Sequence, residues 1–171
     1  ASCEPGEARS AYGLRLANLC ESKLSDDNRA YAWYLKVVEE DIRYAAAYDG
    51  LERTAGKTGH AQVVVDLYNR HIEASDEADF IREFRFRVGR MLFEYLDQSR
   101  AAQDIFEALL AEDNEDVRAL GALENILDRE GRFDELLEVN TRRMELAKTP
   151  EDKAETLLMR ARINENQRND K

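Results

Sequence analysis

Seven amide and cationic side chains, Asn18, Arg53, Lys57, Arg90, Asn125, Arg129 and Arg162, are the residues of this chain best suited to grip another molecule. Guanidinium and amide N–H groups bind carboxylates and the carbonyls of an extended peptide. They stand out because the chain holds 25 Lys and Arg against 36 Asp and Glu, a formal net charge of −11. Other chemistry is poorly provided for. His60 and His71 match no metal-ligand spacing, and no cysteine or carboxylate pattern completes a set around them, so both read as solvated surface residues. The acidic runs at 39–41 and 112–116 lack the spacing and central glycine of a calcium loop. Acidic residues in a turn that opens a helix also complement the helix dipole. No phosphate-cradling glycine loop and no nucleophile elbow occurs. Carboxylate pairs abound, but no residue marks an environment that would drive two pKa values apart. The expectation is a protein that is not an enzyme, with no catalytic residue, cofactor or metal.

Charge narrows the partners further. An acidic chain repels a phosphate backbone, whose affinity rests on cations replacing counterions, and it repels an anionic membrane surface equally. No apolar run approaches the roughly 20 residues that span a bilayer. The expected partner is a protein or peptide, with self-association possible, and with neither nucleic acid nor membrane insertion. Cys20 falls on an apolar helical stripe and reads as a small buried thiol. Ala1-Ser2-Cys3 matches the end of a bacterial lipoprotein cleavage box. Sparse cysteines suit the cytoplasm, while a periplasmic or lipid-anchored parent stays open.

The elements that must position these groups come from an internal repeat. Shifting the sequence against itself by 72 positions pairs Leu24 with Leu96, Ala30 with Ala102, Glu40 with Glu112, Leu51 with Leu123, Glu52 with Glu124, Gly59 with Gly131 and Arg90 with Arg162. Tyr34 and Phe106 form a similar pair. Apolar residues recur at helical spacing between breaks of Ser, Asp, Asn, Thr and Gly. Nine helices are expected, near 8–23, 27–41, 45–57, 60–75, 79–95, 99–112, 116–130, 133–148 and 152–167. No segment alternates strictly enough for a strand. Helices this short hide one apolar face only by stacking as antiparallel pairs.

Val88-Gly89-x-x-Leu92 followed by Ala102-x-x-x-Phe106, and Leu16-Ala17-x-x-Cys20 followed by Ala30-x-x-x-Tyr34, resemble the tetratricopeptide repeat. Small residues there let two helices approach while the aromatic fills the next gap. The intervening hairpins depart from the pattern, with Glu52 and Glu124 at the small position, and with Val64-x-x-x-Tyr68 and Leu136-x-x-x-Asn140 on the second helix. The resemblance implies an all-α, right-handed α-solenoid of antiparallel helical hairpins, a degenerate and alternating array with a bacterial look. It also implies a protein-interaction scaffold or adaptor with a concave groove lined by first helices. The alternatives are a structural spacer, a self-association module, or a regulatory array of a larger protein.

In that register the seven donors follow the small or Glu position, or lie one turn later, with Glu94 against the trend. They face the expected groove. The competing reading pairs the cations with acidic neighbours such as Glu52 or Glu124, which would solubilise the face. Trp33 and most tyrosines read as packing, with Tyr44 and Tyr48 reaching toward the groove. Residues 1–171 are expected to form one helical-repeat domain. The register interrupts the pattern at both ends, so the domain reads as an internal fragment of a longer array with Cys3 in a turn.

Overall fold

A computed structural model describes residues 5–169, with side chains from 8 to 165. Cys3 lies outside them. Among the described residues the chain forms nine α-helices, one 3-10 turn and no strand. In order these are α1 (Pro5–Ser22), α2 (Asp27–Glu40), the turn Ala45–Ala47, α3 (Tyr48–Thr58), α4 (Ala61–Glu73), α5 (Ala78–Glu94), α6 (Ser99–Glu112), α7 (Val117–Glu130), α8 (Phe133–Leu146) and α9 (Pro150–Asn169).

The boundaries follow local chemistry. Asp26 caps α2 by accepting from the Arg29 amide, and Asp116 caps α7 by accepting from the amides of Arg118 and Ala119. Thr149 and Asp152 cap α9 reciprocally, each side chain accepting the other's backbone N–H. Helices α3 and α7 end on Gly59 and Gly131, whose φ of 76° and 70° lie in the left-handed region that favours glycine. Ser25 and Asp97 also take positive φ, 51° and 54°. Gly59 with Gly131, and Ser25 with Asp97, pair in the 72-residue register, so the repeat is written into the backbone. Two starts differ from expectation by three residues, and every other end lies within two. Helix α1 begins at Pro5, because a residue without an N–H suits the first helical position. The start expected near 45 is the short turn Ala45–Ala47, and the α-helix proper follows it.

The described residues fall into two compact units. The first runs to His71 and includes Glu94–Leu96; the second comprises Ile72–Phe93 and the chain from Asp97 onward. In the first, Ala17, Ala30, Tyr34, Val37, Leu51, Ala55, Val64 and Tyr68 are buried. Tyr48 is buried too, its hydroxyl donating to the Ile42 carbonyl and its ring meeting Tyr68 edge-on at 6.3 Å. It therefore packs rather than reaching outward. Trp33 is half-buried, with the Lys36 ammonium 5.3 Å from its ring centroid. In the second unit Phe106 of α6 lies on Gly89 of α5, where an added Cβ would come 2.8 Å from the ring. Leu127, Leu136 and Ile163 join α7, α8 and α9 in one apolar cluster. The small-against-aromatic contact expected of the repeat is present in this form.

Candidate functional site

In the first unit the candidate face is built by α1 and α3. Asn18 and Glu21 lie one turn apart on α1, and Arg53 and Lys57 lie one turn apart on α3. The Arg53 guanidinium grips Glu21 with two parallel bonds, Nε to Oε1 at 2.7 Å and Nη2 to Oε2 at 2.8 Å. Such a fork fixes both side chains in plane as well as in distance. Buried Tyr34 reaches the same spot from α2, its hydroxyl 2.7 Å from Asn18 Oδ1 and 2.9 Å from Glu21 Oε2. The carbonyl side of the Asn18 amide is thereby engaged. Its Nδ2 donors have no partner among the described residues, and the side chain is exposed. Tyr34 holds this position because Gly50 leaves room, since a Cβ there would sit 2.3 Å from the ring. Lys57 extends to Asp27, Nζ to Oδ1 at 3.1 Å, at the start of α2.

In the second unit Arg129 of α7 repeats the role of Lys57. It donates to the Ser99 hydroxyl at 2.9 Å and to the Phe93 carbonyl at 3.1 Å. Its guanidinium carbon is 3.7 Å from the Phe93 ring centroid, close enough for a cation–π contact, and Asp97 stands 3.6 Å away. Lys57 with Asp27 and Arg129 with Ser99 occupy matching repeat positions. The contact thus recurs as a tie from each of these first helices to the start of the preceding hairpin's second helix. Arg162 of α9 pairs with Asp128 of α7 at 3.2 Å. Asn125 is exposed and has no hydrogen-bond partner among the described residues, while Arg90 is half-buried on α5.

The expected donors therefore divide. Arg53, Lys57, Arg129 and Arg162 bind carboxylates, hydroxyls or carbonyls of this chain, and Asn18 and Asn125 offer open donors. The acids that hold the cations are Glu21, Asp27, Asp97 and Asp128, not Glu52 or Glu124. Those two are buried, only 1% and 0% exposed, and do not solubilise any face. Glu52 accepts from the Tyr68 hydroxyl at 3.1 Å. Glu124 accepts from Asn140 Nδ2 at 2.9 Å and pairs with Arg143 at 2.7 Å. The departures at the small position and at Tyr68 or Asn140 are thus two halves of one contact. Their equal separation in both copies was the signal in the sequence that could have found it. The histidines are half-buried rather than solvated. His60 stacks on Tyr31 at 4.5 Å, and burial, with Arg70 beside it, pushes the His71 imidazole down.

Electrostatics fit the fork. The Arg53 hydrogen bond holds the Glu21 carboxyl below its ordinary 4.5, against the opposing effect of burial. Burial, reinforced by Glu21, pushes the Tyr34 phenol up to about 12. A carboxyl depressed on folding stabilises the fold fully above its unfolded pKa, and that stability is lost as pH falls through the folded value. The urea midpoint of the wild-type chain should accordingly exceed that of Glu21→Gln at neutral pH, by a margin that shrinks as pH falls through the ordinary carboxyl range. A margin that stays the same from neutral pH to well below 4.5 would show that Glu21 is not held by Arg53.

Comparison with known proteins gives the same architecture. A family model described as the tetratricopeptide repeat matches residues 119–154, which hold most of α7 and all of α8. This is one of the hairpins that departs from the commoner pattern. A solved structure, the MamA RS-1 ArsTM double mutant, superposes with a TM-score of 0.55 at 13% identity, covering 95% of this chain and 96% of that one. The fold is that of a tetratricopeptide-like helical repeat. Two structures described as tetratricopeptide proteins are similar at lower scores. YrrB, described as a tetratricopeptide protein with an unusual peptide-binding site, gives a TM-score of 0.47 at 24% identity over 78% of this chain and 66% of its own. A thermophilic tetratricopeptide protein from Thermus thermophilus, TTC0263, gives 0.40 at 16% identity over 92% and 98%. No curated protein matches the sequence. No described helix is long and apolar enough to cross a membrane.

Proposed function

We propose that this tetratricopeptide-like chain is a non-catalytic scaffold that binds extended peptide segments of a partner protein on its first-helix faces. The observation that carries this reading is the divided donor set. Asn18 is oriented by Tyr34 with its Nδ2 donors outward, beside an Arg53 fixed by Glu21. An amide held in place by a neighbour loses little freedom when it binds, which raises its contribution to affinity. The cations are already engaged, so a carboxylate ligand would have to displace Glu21 or Asp27. Peptide-backbone carbonyls fit Asn18 in the first unit, and Asn125 in the second, without that competition. A structural spacer is the second reading, favoured by the same saturation of Arg53, Lys57, Arg129 and Arg162.

Display selection of random peptides against the chain, followed by titration calorimetry, separates the two. Enriched peptides should lose about tenfold in affinity with Asn18→Ala or with Asn125→Ala, the loss of a hydrogen bond worth about 1.4 kcal/mol. Failure to enrich any peptide, or unchanged affinity in both variants, would favour the spacer.

A further inference from the structure

The second unit carries a feature that the first does not copy. Two phenylalanines of α5, Phe86 and Phe93, each lie under an arginine of α7. The Arg118 guanidinium carbon is 4.1 Å from the Phe86 ring centroid, and that of Arg129 is 3.7 Å from the Phe93 centroid. The 72-residue register puts Leu14 and Glu21 at the two ring positions of the first unit, so neither stack exists there.

Both arginines are held in place. Phe86 is half-buried and meets the Phe106 ring at 5.5 Å. Arg118 pairs with Glu83 at 2.8 Å, and Glu83 also holds Arg87 at 2.8 Å. Arg129 donates from one edge to the Ser99 hydroxyl and the Phe93 carbonyl, with Asp97 3.6 Å away. One face of each guanidinium is thus covered by a ring, and acids or acceptors take an edge. The two side chains are still 52% and 43% exposed, which leaves the outer face open. A guanidinium face is weakly hydrated and stacks on flat π groups. A carboxylate ligand would instead compete with Glu83 and Asp97 for the edges.

Spacing sets the rest. On α7 the residues Arg118, Asn125 and Arg129 lie on one face of the helix, with the open donors of Asn125 between the two stacks. Along the helices the stacks are about 10 Å apart by their phenylalanines and about 16 Å by their arginines, at about 1.5 Å per residue. An extended peptide covers that distance in about three to five residues.

We infer, resting on the proposed function, that the peptide bound by the second unit carries two aromatic side chains about three to five residues apart. One stacks on the outer face of Arg118 and the other on that of Arg129. A backbone carbonyl between them accepts from Asn125. The two phenylalanines hold the arginine planes ready, so little freedom is lost when the ligand stacks.

Peptides selected by display on the full chain, resynthesised and titrated by calorimetry, test this, with amide shifts reporting which unit they occupy. Peptides that shift α7 should carry the aromatic pair. Replacing either aromatic of the peptide by leucine should weaken binding about two- to fivefold, the worth of one exposed stack. Arg118→Lys and Arg129→Lys keep the charge and lose the plane. Each should cost about as much for the parent peptide, but little for a peptide already lacking the aromatic it faces. The changes in the peptide need no variant to fold. Peptides that bind at α7 without an aromatic pair, or that lose nothing on these changes, would overturn this inference and leave the proposed function standing. Peptides that shift only α1 and α3 would do the same. Failure to select any peptide would overturn both.

Discussion

Replacing Arg143 with methionine is expected to destabilise the second unit by about 3–5 kcal/mol, the usual cost of leaving one partner of a buried ion pair uncompensated. The Glu124 side chain is 0% exposed, and one of its oxygens rests on the Arg143 guanidinium at 2.7 Å. Its other oxygen accepts from Asn140 at 2.9 Å, a single neutral donor that cannot balance a charge removed from water. Methionine preserves much of the arginine stem's volume, so the loss isolates the charge. Adding Glu124→Gln should recover most of the stability, because the neutral amide still accepts from Asn140. Urea unfolding of the two single variants and the double variant closes the cycle. A loss below about 1 kcal/mol for Arg143→Met would show that Glu124 is not an ion whose balance depends on Arg143.

Phe106→Ala is the second large effect, with an expected loss of about 3–5 kcal/mol. The ring is 1% exposed and lies against Gly89 and, at 5.5 Å, the Phe86 ring. Truncation opens a cavity where Phe106 of α6 packs on Gly89 of α5, and no side chain on Gly89 can collapse into it. The same contact predicts coupling. Gly89→Ala should destabilise the wild-type chain, because its Cβ would come 2.8 Å from the ring, but should cost much less beside Phe106→Leu. Equal costs in both backgrounds would mean that the small-against-aromatic contact does not set the α5–α6 spacing.

Much of the fold was legible because its signals are local. Asp26, Asp116, Gly59 and Gly131 punctuate the helices by chemistry that acts within one turn. The 72-residue register then carries each assignment from one copy to the next, as far as the positive φ of Ser25 and Asp97. The site was legible only in part. Spacing placed Asn18, Arg53, Lys57, Asn125, Arg129 and Arg162 on first helices, yet gave no sign that Glu21, Asp27 and Asp128 would reach across to the cations. Those pairs join residues about 30 positions apart, and hydropathy has no memory over that distance. Glu52 and Glu124 misled for a different reason. A carboxylate reads as solvent-facing until its buried donors, Tyr68 and Asn140 with Arg143, are known.

On the proposed function, ligands meet the first helices through the open amide donors of Asn18, held by Tyr34, and of Asn125. Amide chemical-shift mapping of the isotopically labelled chain, titrated with a display-selected peptide, tests it most directly. Shifts should concentrate on α1 and α3 around Asn18 and Arg53, or on α7 around Asn125, with the side-chain amide of the engaged asparagine among the largest. Shifts confined to α2, α4, α6 or α8 would contradict it and move the binding face to the second helices.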